Sequence, residues 1–174
     1  MIKMRRQKHI FNSGIIGNCA YIAHVGNDSN INLLCWPSFE DSFVFGTLLD
    51  EHQGGRFSIT PPSGIIHSSQ YYVENTNILC STIESAEGSY RITDYAPRFE
   101  QYEPYYKPLI LIRKIELISG HPKVRVECDP KYHFGKSSFQ KNRGSNHIQF
   151  EWGDVKMRLV TNMPTSHSST IGPI

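Results

Sequence analysis

The sequence predicts an all-β fold, an antiparallel β-sandwich carrying one short helix, and three observations lead there. Short runs of alternating apolar and polar residues follow one another from Ala20 onward, which is the period of a half-buried strand. Clusters of Gly, Asn, Asp, Ser and Pro separate those runs, as tight turns require. No segment keeps helical spacing long enough for a long helix, and no internal repeat is visible. At 174 residues the chain fits one domain that can bury a core without disulfide or metal staples.

Residues 1–13 read as a flexible basic arm, 14–163 as the sandwich, and 164–174 as a tail or the start of a linker. Residues 21–25 turn through Gly26-Asn27-Asp28-Ser29-Asn30 into 31–36, a hairpin. Pro37 stops that strand because it has no N–H to donate. Phe43, Val44, Phe45, Leu48 and Leu49 recur at spacings of three and four, which predicts the short helix, with Asp41 or Ser42 as its N-cap. Gly54-Gly55 turns the chain into a strand over 56–59. Residues 71–73 and 78–83 are short strands, and Ser85-Ala86-Glu87-Gly88 turns the second into 90–95.

Two later hairpins come with predicted registers. In the first, 109–118 returns through Ser119-Gly120-His121-Pro122 into 123–129, setting Leu117 opposite Val124 and Ile115 opposite Val126. Its wet face then pairs Glu116 with Arg125 and Lys114 with Glu127. In the second, Gly153-Asp154 is a two-residue turn that sets Phe150 against Met157 and Ile148 against Leu159. One dry and one wet face in each is the mark of sheets packed face to face. The stretches 96–108 and 131–146 are less regular connections.

A formal charge of +2, from 18 basic and 16 acidic residues, is too balanced for a nucleic-acid surface. No apolar run is long enough to cross a membrane, and the basic start lacks an apolar segment behind it. The expected location is cytoplasmic. Cys19, Cys35, Cys80 and Cys128 contain no C-x-x-C pair, and the eight histidines show neither H-x-H nor H-x-x-x-H spacing. No metal or other cofactor is expected.

Catalysis by paired carboxylates needs two acids held across a substrate. Glu40, Asp41, Glu84 and Asp94 are available, but none lies in a supporting motif, and capping or solvated roles fit each. There is no nucleophile elbow, phosphate-binding loop or dinucleotide fingerprint. The aromatic residues Trp36, Phe39, Tyr95, Phe99, Tyr102, Tyr105 and Tyr106 lie on or beside loops. Such rings either plug the ends of a sandwich or stack on sugars. His147, in Gly144-Ser145-Asn146-His147, opens a strand at a sheet margin.

The ordered motifs say more than any one of these features. They are 16–23 (IGNCAYIA), Trp36-Pro37-Ser38-Phe39, Val44-Phe45 with Leu48-Leu49-Asp50, and Gly54-Gly55-Arg56-Phe57. Downstream stand 93–99 (TDYAPRF), Tyr132-His133-Phe134-Gly135 and 144–148 (GSNHI). In this order they resemble the N-terminal domain of bacterial and archaeal glycoside hydrolase family 15 proteins, the glucoamylase and trehalase-like group. The resemblance runs from about Gly14 to about Ser166. It departs at Ser38-Phe39-Glu40, where the family pattern is Arg-Phe-Asp.

The resemblance implies a β-sandwich that is not itself catalytic. It also implies a helical barrel in the same polypeptide, with one glutamate as general acid and another as base, inverting an α-glucoside. This chain would then be a piece of a longer protein and inactive alone. The implied partners are that barrel and an α-glucan or trehalose-type sugar. The residues expected to touch one or the other are Trp36, Phe39, Glu40, Asp41, Tyr102, Tyr105, Tyr106 and His147. A free-standing glycan-binding module is the alternative. If a barrel covers this domain, Trp36, Phe39, Phe43 and the 99–106 loop should form an exposed apolar patch through which the isolated domain self-associates. The face with Lys114, Glu116, Arg125 and Glu127 should stay wet.

Overall fold

Alternation builds the first sheet. The computed structural model describes residues 12–100 and 105–163, and its first four strands, β1 (Ser13–Gly17), β2 (Ile22–Gly26), β3 (Ile31–Cys35) and β4 (Phe43–Phe45), lie side by side in that order. Ala23 and Val25 face the core while Ile22 faces out, as a two-residue period demands. The expected 21–36 hairpin is present, with Ala23 opposite Leu34 and a register shift between His24 and Val25.

The short helix is not. Phe43–Phe45 is a strand paired to Leu34 and Cys35, and there is no helix among the described residues. All three side chains of Phe-Val-Phe are buried, whereas Leu48 and Leu49 are exposed. β-Favouring residues beside an open strand edge gain more from the ladder than from one turn of helix.

The second sheet contains β6 (His67–Tyr72), β7 (Leu79–Ser85), β8 (Gly88–Tyr95) and β11 (Ile112–Gly120), ordered β11-β8-β7-β6. Between these in the chain come β5 (Arg56–Thr60) and the small pair β9 (Phe99–Glu100) and β10 (Tyr105–Tyr106). β7 turns into β8 with Ser85 opposite Gly88, as expected. β12 (Arg125–Asp129) pairs with β5, and β13 (Lys131–Tyr132) with β14 (Ser137–Ser138). β15 (Gln140–Arg143), β16 (His147–Trp152) and β17 (Val155–Val160) make a three-stranded sheet. Its β16–β17 hairpin has the predicted register, Phe150 opposite Met157 and Ile148 opposite Leu159.

The hairpin predicted over 109–129 does not form. β11 pairs with β8, placing Ile115 opposite Ile92 and Leu117 opposite Tyr90, while β12 places Val126 opposite Ile59. Alternation assigns a side chain to a face but does not choose the neighbour. On β8, Glu116 meets Arg91, so that register also satisfies both faces.

The layers meet in two cores. Ile16, Val25, Leu34 and Phe45 of the first sheet, with Tyr21 just before β2, pack on Phe57 and Leu79. Ile59 and Val124 pack on Ile83, Tyr90 and Ile92 of the second. Each fully buried large apolar side chain contributes about 1.5–3 kcal/mol.

Asp94 continues the inward stripe of Tyr90 and Ile92 and has no exposed surface. Its carboxylate is met by Arg113, directly opposite on β11, through Nε at 2.8 Å and Nη2 at 3.2 Å. Arg113 also donates to the carbonyls of Phe57 and Ser29 and lies over the Phe57 ring at 4.8 Å. One guanidinium thus ties both layers together.

Candidate functional site

The strand directions bring four connections to one end of the sandwich: 18–21 after β1, 36–42 after β3, 96–111 after β8, and the β16–β17 tip. Asn18 holds this end together. Its Nδ2 donates to the carbonyls of Pro97 and Pro108 at 2.9 and 2.8 Å, which closes the 97–108 excursion at its neck. Its Oδ1 accepts from the Ala20 amide at 3.0 Å, leaving Cys19 in the left-handed region at φ 70°.

Trp36 stands behind this clamp. Its ring meets Tyr21 edge-on, with centroids 5.5 Å apart, and packs against the first core. The Tyr21 hydroxyl donates to the carbonyl of Ile110. Burial pushes that phenol well above its ordinary range, so it remains a donor. A groove of about 530 Å³ opens beside Trp36 and Pro37, walled by residues 109–111 and by residues 154–158 of the β17 hairpin. Its polar groups are Asp154, Lys156 and Arg158. The Trp36 indole N–H is buried without a hydrogen-bond partner among the described residues.

The 36–42 loop itself is a self-contained turn. Asp41 accepts from the Ser38 amide at 3.0 Å, and Ser38 Oγ accepts from the Glu40 amide at 3.3 Å. Asp41 therefore closes a turn rather than capping a helix, and Glu40 is exposed. Ser42 Oγ accepts the Phe134 amide at 2.7 Å, joining this loop to a turn in which His133, Phe134 and Gly135 are all left-handed (φ 49, 54 and 86°). His133 and Phe134, unlike Gly135, incur a backbone cost for this, and the packing of Phe43 edge-on against Phe134 at 6.0 Å helps hold them.

The expected apolar patch is found only in part. Phe39 is 59% exposed, Phe99 48%, Tyr105 53% and Tyr106 49%. Phe99 and Tyr106 lean together at 5.1 Å. Arg98 covers the Tyr105 ring at 4.6 Å, and its Nη1 lies 3.0 Å from Cys19 Sγ. Phe43 is buried and Trp36 partly so, so these two belong to the core. Tyr102 lies outside the described residues. His147 stands opposite Val160 at the far end of β16 from the tip, on the order of 17 Å away. Its ring fills the space beside Gly144, where a Cβ would approach it to 2.3 Å. It does not join the Trp36 end. Lys114 and Glu116 lie on the wet face as expected and pair at 2.8 Å.

Sequence reasoning missed Asn18, Tyr21 and Arg113 as organising residues. A signal was present for Arg113's partner: Asp94 falls in phase with Tyr90 and Ile92, so a buried carboxylate was due and needed a cation. No group of three or more His, Cys, Asp or Glu able to hold a metal occurs among the described residues.

The cysteines give a direct check on this geometry. Cys19 is exposed, Cys80 is buried, and burial pushes the Cys128 thiol up to about 12. Only thiolate reacts readily. A maleimide applied to folded protein at neutral pH should therefore label Cys19 first, with Cys80 and Cys128 reacting only after unfolding. Peptide mapping that finds Cys128 labelled as fast as Cys19 would contradict the packing described.

Three archaeal proteins are similar in sequence. A trehalase of Thermoplasma volcanium is 30% identical over 71% of this chain and 20% of its own length. A trehalase of Thermoplasma acidophilum is 31% identical over 58% and 17%. Trehalase 1 of Sulfolobus acidocaldarius is 40% identical over 48% and 14%. The chain thus spans a fifth or less of the curated relatives it matches. No solved structure matches it. The model of the trehalase-like N-terminal domain matches residues 4–162, nearly the whole sandwich with its Asn18 clamp and Trp36 groove, and the chain belongs to that family.

Proposed function

We propose that this domain is the non-catalytic N-terminal sandwich of a glycoside hydrolase family 15 enzyme acting on trehalose or a related α-glucoside. It assists folding of a helical-barrel catalytic domain in the same polypeptide and turns the 36–41 loop toward the active-site mouth. The match over residues 4–162 carries this reading. The exposed rings of Phe39, Phe99, Tyr105 and Tyr106 support it, since exposed aromatic side chains on the loops of one end favour a covering partner there. We place the protein in the cytoplasm, in keeping with four unpaired cysteines.

The purified chain should release no glucose from trehalose, maltose or malto-oligosaccharides in a coupled glucose assay. Hydrolysis that is lost in Glu40→Gln or Asp41→Asn overturns the reading.

The groove supports a second reading, a glycan-binding module, because it sets an aromatic ring beside Asp154, Lys156 and Arg158. Calorimetric titration with trehalose and maltose separates the two. Saturable heat that disappears in Asp154→Ala favours the module, and no heat at millimolar sugar favours the accessory role.

A further inference from the structure

We propose that the outer edge of β11 is a self-complementary interaction surface, along which a second copy of this chain pairs antiparallel to make one continuous sheet. This inference is independent of the glycosidase reading.

β11 is nine residues long and lies at the margin of its sheet, bonded to β8 on one side only. Natural monomers blunt such edges with proline, a bulge or several charges. Here residues 112–117 contain no proline, and the register shift comes only after Leu117. Arg113 is turned inward to Asp94, which leaves Lys114 as the single outward cation. A groove of about 480 Å³ opens along the same edge, walled by residues 112–115, Val126 and residues 159–163. Leu117 lies on the core-facing side, opposite buried Tyr90, yet is 62% exposed. A core-facing leucine left that open lacks a cover.

The sequence of the strand says which cover fits. Side chains keep to their own faces only in registers centred on a residue. Centring on Lys114 sets it against its own copy, and centring on Glu116 does the same for two carboxylates, both repulsive. Centring on Ile115 sets Ile115 against itself and Lys114 against Glu116 on both sides of the two-fold axis. It also places each Leu117 opposite Arg113 of the second copy, over that copy's open groove. Ile115 then meets its own copy and the outward charges meet their opposites, while Arg113 stays turned inward to Asp94 beneath Leu117. A two-fold contact has this self-matching character.

Sedimentation equilibrium on the 174-residue chain at low salt should show a reversible monomer–dimer equilibrium. Lys114→Glu and Glu116→Lys should each weaken the dimer about tenfold or more, since each makes two like-charge contacts. Both residues are on the wet face, so the fold should survive, which circular dichroism checks. The double exchange Lys114→Glu with Glu116→Lys should restore association, because the register pairs one with the other. A chain that stays monomeric at every concentration overturns the proposal. So does a dimer indifferent to the single variants, or one that the double exchange fails to restore. In either of those cases the contact lies elsewhere, for example at the Phe39–Tyr105 end.

Discussion

Asp94→Ala is expected to lower the unfolding free energy by about 3–5 kcal/mol, the usual cost of stripping one partner from a buried ion pair. Arg113 would remain where its side chain is 3% exposed, charged and facing a void. Its bonds to the Phe57 and Ser29 carbonyls satisfy some donors but bring no counter-charge. Domains have about 5–15 kcal/mol in total, so the loss is a large share and should lower the melting temperature by roughly 10 °C or more. Replacing the pair together, Asp94→Leu with Arg113→Met, should recover over half of the loss, because an apolar pair carries no desolvation cost. Recovery stays incomplete because two carbonyls lose their donor. Urea melts of the two variants beside the unaltered chain measure this directly. A loss under about 1 kcal/mol for Asp94→Ala would mean the pair is not buried as described.

The second large effect is expected at Tyr21, which connects the core to the Trp36 groove. Tyr21→Ala should cost about 3–5 kcal/mol, as for other large aromatic side chains removed from a core. The ring is 2% exposed and supports Trp36 edge-on, so Trp36 emission should also shift to the red as water reaches the indole. Tyr21→Phe separates the two roles of the side chain. It keeps the ring contact but leaves the Ile110 carbonyl without its donor, for about 1–3 kcal/mol and no emission shift. Denaturant melts followed by tryptophan fluorescence report both, with Trp152 as a constant background. If the alanine variant leaves the emission unchanged, Tyr21 is not what positions Trp36.

Much of the architecture was legible in the chain itself. Alternation and turn residues placed the strand over 90–95 after its Ser85–Gly88 turn, and they placed Phe150 opposite Met157 across a Gly-Asp turn. These are local decisions: a two-residue period sets faces, and a short turn sets register within one hairpin. Asp41 was expected to cap a helix and instead accepts the Ser38 amide within a turn, because the helix it would have capped is a strand. The ordered motifs also pointed to the family that the match over residues 4–162 shows.

Other features depended on parts of the chain far apart in sequence. Phe43–Phe45 became a strand because β3 offered an open edge, and its spacing alone could not reveal that neighbour. β11 satisfied its alternation equally well on β12 or on β8. The Asp94–Arg113 pair exists only in the β8 arrangement, and an unpaired carboxylate in that core would be costly. The fate of the loop aromatics was decided the same way. Trp36 is covered because Tyr21, Leu111 and Met157 arrive from distant positions to pack around it. Phe39, a few residues along the same loop, remains 59% exposed. The sequence by itself determined which faces are apolar and where the chain turns, because those follow from local periodicity. Only the tertiary structure decided which faces meet, because burial depends on the arrival of remote segments.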